Sequence, residues 1–104
     1  MLIATSERIE SRDITETLGL VRGNTIRARH VGTDIVASLR NLVGGEVPEY
    51  TKLLAEAREQ ALDRMVAEAE RAGADAIVGV RFATSMVAQG AAEILAYGTA
   101  VRLA

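Results

Sequence analysis

At 104 residues the chain has the length of one ordinary domain, and its 49% hydrophobic and 25% charged content is globular rather than disordered. A net charge of -2 argues against a dedicated nucleic-acid binder, and the lack of cysteine excludes disulfides, thiolate nucleophiles and thiolate metal sites. The opening MLIATSERIE has neither the basic leader nor the apolar run of a signal peptide, and no stretch approaches the roughly 20 apolar residues of a membrane span, so a soluble cytoplasmic protein is expected. Aromatics are only 3% of the chain, so any core must be built from Ala, Val, Leu and Ile.

From Leu2 to about Arg29 the pattern is strand-like. Ile14, Glu16, Leu18 and Leu20 alternate with Thr15, Thr17, Gly19 and Val21, the period of a half-buried strand, and RGN at 22–24 reads as a turn or bulge. From about Thr33 to Ala72 the period becomes helical. Ile35, Leu39, Leu42 and Val43 form a first helix, Gly44 suits its left-handed end, and Pro48 suits the first turn of a second. In that second helix Leu54, Ala57, Ala61, Met65, Ala69 and Ala72 make one stripe, and Gly73 ends it. The Gly44–Gly45 pair is therefore a corner between helices. It is not a phosphate loop, since Glu46 and Glu49 at the helix start would repel an anion while suiting the helix dipole.

Beyond Ala74 the chain returns to strands. One face of ADAIVGVRFAT presents Ala76, Val78, Val80 and Phe82, and the other presents Asp75, Ile77, Gly79, Arg81 and Ala83. In AEILAYGTAVRLA, Ile94, Ala96, Gly98 and Ala100 oppose Leu95, Tyr97, Thr99, Val101 and Leu103, and neither face is plainly polar. This order predicts a two-layer α+β domain spanning 1–104, with two helices on one face of a largely antiparallel sheet. Two helices cover one side only. A second copy of the chain is the expected cover for the other, and charge placed at Val101 or Leu103 should then disrupt assembly and folding together.

Few residues offer chemistry. Ser6, Ser11, Ser38 and Ser85 lack a triad setting, because His30 is the lone imidazole. The helix carboxylates Glu56, Glu59 and Asp63 have the spacing of a solvated face. The basic segment VRGNTIRARH places Arg27 and Arg29 on one side of an extended strand, where an anion or an intersubunit salt bridge could be met, but it lacks the interleaved aromatics of a nucleic-acid surface.

Three blocks carry a family resemblance: VGG before the charged helix, GADAIVGVRF after it, and YGTAV near the end. With the intervening LRNLVGGEVPEYTKLLAEAREQALDRMVAEAERAGADAIVGVRF, the chain resembles the YbjQ-like family of small bacterial and archaeal proteins, a family associated with heavy-metal binding. The resemblance implies a dodecin-like subunit assembled into a ring, a homopentamer. The first functional expectation is a non-catalytic oligomeric binding or scaffold protein without a cofactor, holding a small molecule or ion in a central channel or in clefts between subunits that Arg40, Tyr50, Arg81, Glu93 and Tyr97 would line. The alternative is an enzyme with a composite site at the interfaces, using Glu93 with Arg40 or Tyr97.

The metal association does not carry over to individual residues. Soft metals favour thiolate and imidazole, and the chain has one histidine and no cysteine. In the strand after GADAIVG, where some family members carry acidic residues, this chain has Arg81 and Ala83. Met1, Met65 and Met86 are far apart in sequence. Zinc or copper at neutral pH and modest excess should therefore move the melting temperature by no more than about 2 °C. A stoichiometric rise that disappears in His30→Ala would show a metal site instead.

Overall fold

The computed structural model describes residues 1–28, 48–88 and 91–104. They form β1 (Leu2–Ile3), β2 (Ile14–Ala28), α1 (Pro48–Arg71), β3 (Ala76–Ala88) and β4 (Ala91–Leu103). The four strands make a single mixed sheet in the order β1-β3-β4-β2; β1 runs parallel to β3, and the other pairings are antiparallel. The class is α+β with a largely antiparallel sheet, as the periodicity predicts. The expected first helix, around residues 33–43, lies outside the described residues. No helix among the described residues is long and apolar enough to cross a membrane.

The second predicted helix is α1, 24 residues long and hence about 36 Å at about 1.5 Å per residue. Of its predicted stripe, Ala57, Ala61, Met65 and Ala69 are fully buried and Leu54 packs at their margin, joined by Leu62 and Val66. Ala72 is exposed, because the helix has already ended. Gly73, at φ +80°, makes the stop: its N–H donates to the Glu70 carbonyl at 3.0 Å and that of Ala74 donates to Ala69 at 3.0 Å. This paired arrangement satisfies the last carbonyls of a helix and calls for a left-handed residue.

The helix lies mainly across β2, with less contact to β4. A Cβ at Gly23 would collide with the backbone of Ala61 and Met65 and with the Cβ of Arg64. The RGN segment is thus neither turn nor bulge. Gly23 pairs in register with Ala96 inside a continuous strand, and its missing side chain is the space into which the helix backbone settles. Two polar groups fasten the contact. The buried Thr25 Oγ1 donates to the Ala57 carbonyl at 2.9 Å, and Arg64 Nη1 donates to the Asn24 carbonyl at 2.6 Å.

β4 keeps the expected alternation: Ile94, Ala96 and Ala100 join the core beneath the helix, and Val101 and Leu103 lie in a second cluster on the outer face. The neighbouring strands do not keep theirs. Register shifts occur between Thr17 and Gly19 on β2 and between Val78 and Arg81 on β3, where Gly19 and Gly79 take φ values of +117° and +62°. Each extra residue reverses the inward and outward sense of the strand beyond it. Ile77 and Val80 both face the helix core, while Ala76 and Val78 belong to the outer cluster, so the predicted grouping of Ala76, Val78, Val80 and Phe82 on one face is corrected. Likewise Leu18 packs against the helix core together with Val21, and Leu20 is 63% exposed.

A second correction concerns the outer face. Val101 and Leu103 are 1% and 8% exposed within the single chain, because Ile9 packs against them and Ala76 and Val78. The segment between β1 and β2 crosses this part of the sheet, so charge at Val101 or Leu103 would damage the chain's own core and says nothing about assembly. The telling substitution for the fold is Gly23→Ala. Equilibrium unfolding in urea should show a loss of about 1–3 kcal/mol, the usual result of forcing an extra carbon into a packed contact. An unchanged midpoint would mean that the helix does not rest on this strand.

Candidate functional site

Opposite the helix, register pairs align the outward side chains of β2, β4 and β3 in rows. Leu20 stands beside Thr99 and Val78, Arg22 beside Tyr97 and Arg81, Asn24 beside Leu95 and Ala83, and Ile26 beside Glu93 and Ser85. Three of the five expected site residues, Arg81, Glu93 and Tyr97, therefore share one face. Arg81 and Tyr97 are direct cross-strand neighbours, but Glu93 is four residues from Tyr97, about 14 Å along an extended strand. Arg40 lies outside the described residues. Tyr50 belongs to the first turn of α1, and its side chain is likewise outside what is described.

Arg81 and Glu93 on this face are already engaged. Arg81 Nη1 donates to the carbonyls of Thr5 and Val80, both at 2.8 Å, which ties the segment after β1 to the bulge of β3. Glu93 accepts from Asn24 Nδ2 at 3.1 Å and, at the limit of hydrogen-bond length, from Ser85 Oγ at 3.5 Å. The basic segment read from sequence is divided. Arg27 lies on the helix side, where Nη2 donates to Gln60 Oε1 at 2.8 Å, and Arg29 and His30 are outside the described residues.

A different feature escaped the sequence reading. At the β1 end of the outer face, Glu7, Ile14, Thr17, Val78, Gly79, Thr99 and Val101 line a hollow of about 330 Å³. It adjoins a larger open hollow of about 810 Å³ around residues 6–14, with Glu7 and Ile14 common to both. The loop that forms the wall is stitched down by backbone bonds. Gly79 N–H donates to the Ser6 carbonyl at 2.8 Å and Val80 N–H to Ala4 at 3.0 Å, while Arg12 Nε donates to the Ala104 carbonyl at 3.1 Å. Ser11 within it takes φ 68°, a left-handed conformation that is uncommon away from glycine. A glycine inside a strand pattern, here Gly79, was the available signal for such a bulge or close backbone approach.

Residues 1–104 match the YbjQ family, described as "Putative heavy-metal-binding". The chain belongs to this family. It is similar to the UPF0145 protein of Methanosarcina acetivorans, with 61% identity over 103 residues covering 99% of this chain and 97% of that one. The UPF0145 protein of Archaeoglobus fulgidus is 58% identical, with 99% and 95% covered, and that of Thermus thermophilus is 56% identical, with 99% and 90% covered. Among solved structures, a DUF74-family protein of unknown function from Pediococcus pentosaceus matches with a TM-score of 0.70 at 16% identity, covering 100% of this chain and 98% of that one. At that identity the likeness speaks for the fold alone.

The family description invites a test of this YbjQ-family chain against metal chemistry. Among the described residues, no three His, Cys, Asp or Glu side chains gather closely enough to hold an ion. The carboxylate of Glu93 is flanked by an amide and a hydroxyl rather than by further metal donors. These groups do not fit a soft-metal site within the described part of one chain. Arg81 instead has a structural task. Arg81→Met should lower stability by about 1–2 kcal/mol, and hydrogen exchange should accelerate at the Gly79 and Val80 amides that hold the loop. Unaltered protection at those two amides would contradict that role.

Proposed function

We propose that this protein is the subunit of a closed homo-oligomer that binds a small molecule or ion without catalysing a reaction. The observation that carries the reading is the open half of the outer sheet face. The chain's own N-terminal segment covers Val101 and Leu103, but farther along the face Leu20 and Ile26 are 63% and 59% exposed. They flank the Arg22–Tyr97–Arg81 row on a sheet whose edge, β2, is 15 residues long. Long open edges and apolar sheet faces invite pairing, and a second copy is the partner always present at matching concentration.

A ring of five is the form that the family resemblance supports, with cytoplasmic residence the expectation from composition. In such a ring the arginines and Tyr97 would lie near subunit boundaries, suited to an anionic or polar ligand. A composite catalytic site built on Glu93 and Tyr97 is disfavoured by their separation along β4 and by the hydrogen bonds that Glu93 already accepts.

Native mass spectrometry of protein purified without chelator would report subunit number and retained ligand together. A single closed oligomer is expected, and its denaturation midpoint should rise with protein concentration as mass action requires. Leu20→Asp and Ile26→Asp should reduce the assembly to smaller species. A monomer with a concentration-independent midpoint would overturn the proposal.

A further inference from the structure

The hollow beneath the N-terminal loop is a small, open concavity with a mixed polar and apolar lining. Its volume of about 330 Å³ falls in the range of small-ligand pockets, and its walls combine apolar Val78, Val101 and Ile14 with the hydroxyls of Thr17 and Thr99. Glu7 is the one charged residue among those that line it. Among the described residues no cation stands within ion-pair distance of Glu7; the ion pair found is Arg102 with Glu16, at 3.6 Å on the other side of the sheet. Of the neighbouring arginines, two are committed elsewhere, and Arg8, beside Glu7 in sequence, lines the adjoining hollow. Arg81 donates to two carbonyls, and Arg12 donates to that of Ala104.

The floor is made by irregularity in the sheet. Gly19 pairs with Ala100, and Val78 pairs with Thr99, so both bulges flank the same stretch of β4. A Cβ at Gly79 would meet nothing within 4 Å, which leaves room for a guest beside Thr99. The adjoining loop hollow carries Glu7, Glu10 and Asp13 against Arg8 and Arg12, so its net charge is also negative.

We propose that this hollow binds a small organic cation, a primary amine on a compact apolar body. The ammonium would meet Glu7 and the threonine hydroxyls, and the apolar body would rest against the exposed Ile14, over a floor of buried Val78 and Val101. The seven described lining residues stand on one chain, so the proposal is tested apart from the homo-oligomer proposed above.

The test uses the intact protein, labelled with nitrogen-15, and benzylamine as the probe, with benzyl alcohol as its uncharged counterpart. Benzylamine should move the backbone amide resonances of Gly79, Thr99 and Thr17 in a saturable way, and benzyl alcohol should bind more weakly. Glu7→Gln lies on an exposed loop and should leave the fold intact while weakening benzylamine by about fivefold, the scale of a solvent-accessible charge pair. Thr99→Leu should fill the hollow and abolish the response, and Thr17→Leu offers the same block from the neighbouring strand. Equal binding of the amine and the alcohol, persistence of binding in a folded blocked variant, or no response at these three amides would each overturn the proposal.

Discussion

The contact between Gly23 and the helix backbone constrains most of what surrounds it. A side chain at position 23 would hold α1 away from the sheet, and its absence lets Ala61 and Met65 rest directly on β2. The alanine-rich stripe suits this closeness: Ala57, Ala61 and Ala69 are fully buried, with Met65 the one large side chain buried among them. Thr25 completes the seam by donating into the helix, so a hydroxyl inside the core is satisfied rather than stranded. Among the described residues the helix is committed to β2 and β4 and touches β3 little. Phe82 and Met86 pair with Ala96 and Ala92 and remain 45% and 81% exposed.

The two bulges distribute the rest of the core. Without them, strict alternation would send Leu18 and Val80 to the wrong side of the sheet. The extra residue at each glycine returns both to the helix while β4 between them stays regular. Because both irregularities flank Thr99 and Ala100, the sheet changes character at that level. On the β1 side, the outer face is closed by Ile9 and its loop; beyond it, the face carries Arg22, Tyr97 and Arg81, and among the described residues Leu20 and Ile26 on it stay exposed.

Much of this could be read from the residues because it depends on local periodicity. Pro48, the four-residue recurrence of Ala57, Ala61, Met65 and Ala69, and the stop at Gly73 were sufficient for α1. The alternation of β4 survived because a central strand, paired on both edges, has little freedom to slip. The bulges were not legible in the same way. Whether a glycine bends a strand, as Gly79 does, or admits a helix, as Gly23 does, is decided by a partner distant in sequence. For the same reason Val101 and Leu103 looked like an interface, although Ile9, more than ninety positions earlier in the chain, covers them. Of the candidate site, the sequence named Arg81, Glu93 and Tyr97 but only the strand register put them on one face, and it could not reveal the hollow, which exists only because the segment after β1 folds back across the sheet.

Arg81 stands at the boundary between the closed and open halves of that face. Its side chain holds the loop through Thr5, and its strand position is beside Tyr97, where the uncovered surface begins. The backbone just before it, at Gly79 and Val80, anchors Ser6 and Ala4, and Gly79 also lines the hollow. A neighbour that drew the guanidinium away from the Thr5 carbonyl would remove a charge-assisted bond from the loop while leaving the backbone stitches in place. The loop could then loosen without the sheet unpairing. Any coupling between the open face and the hollow therefore has a short physical route, through one arginine and the bulge that precedes it, and needs no rearrangement of the helix-packed core.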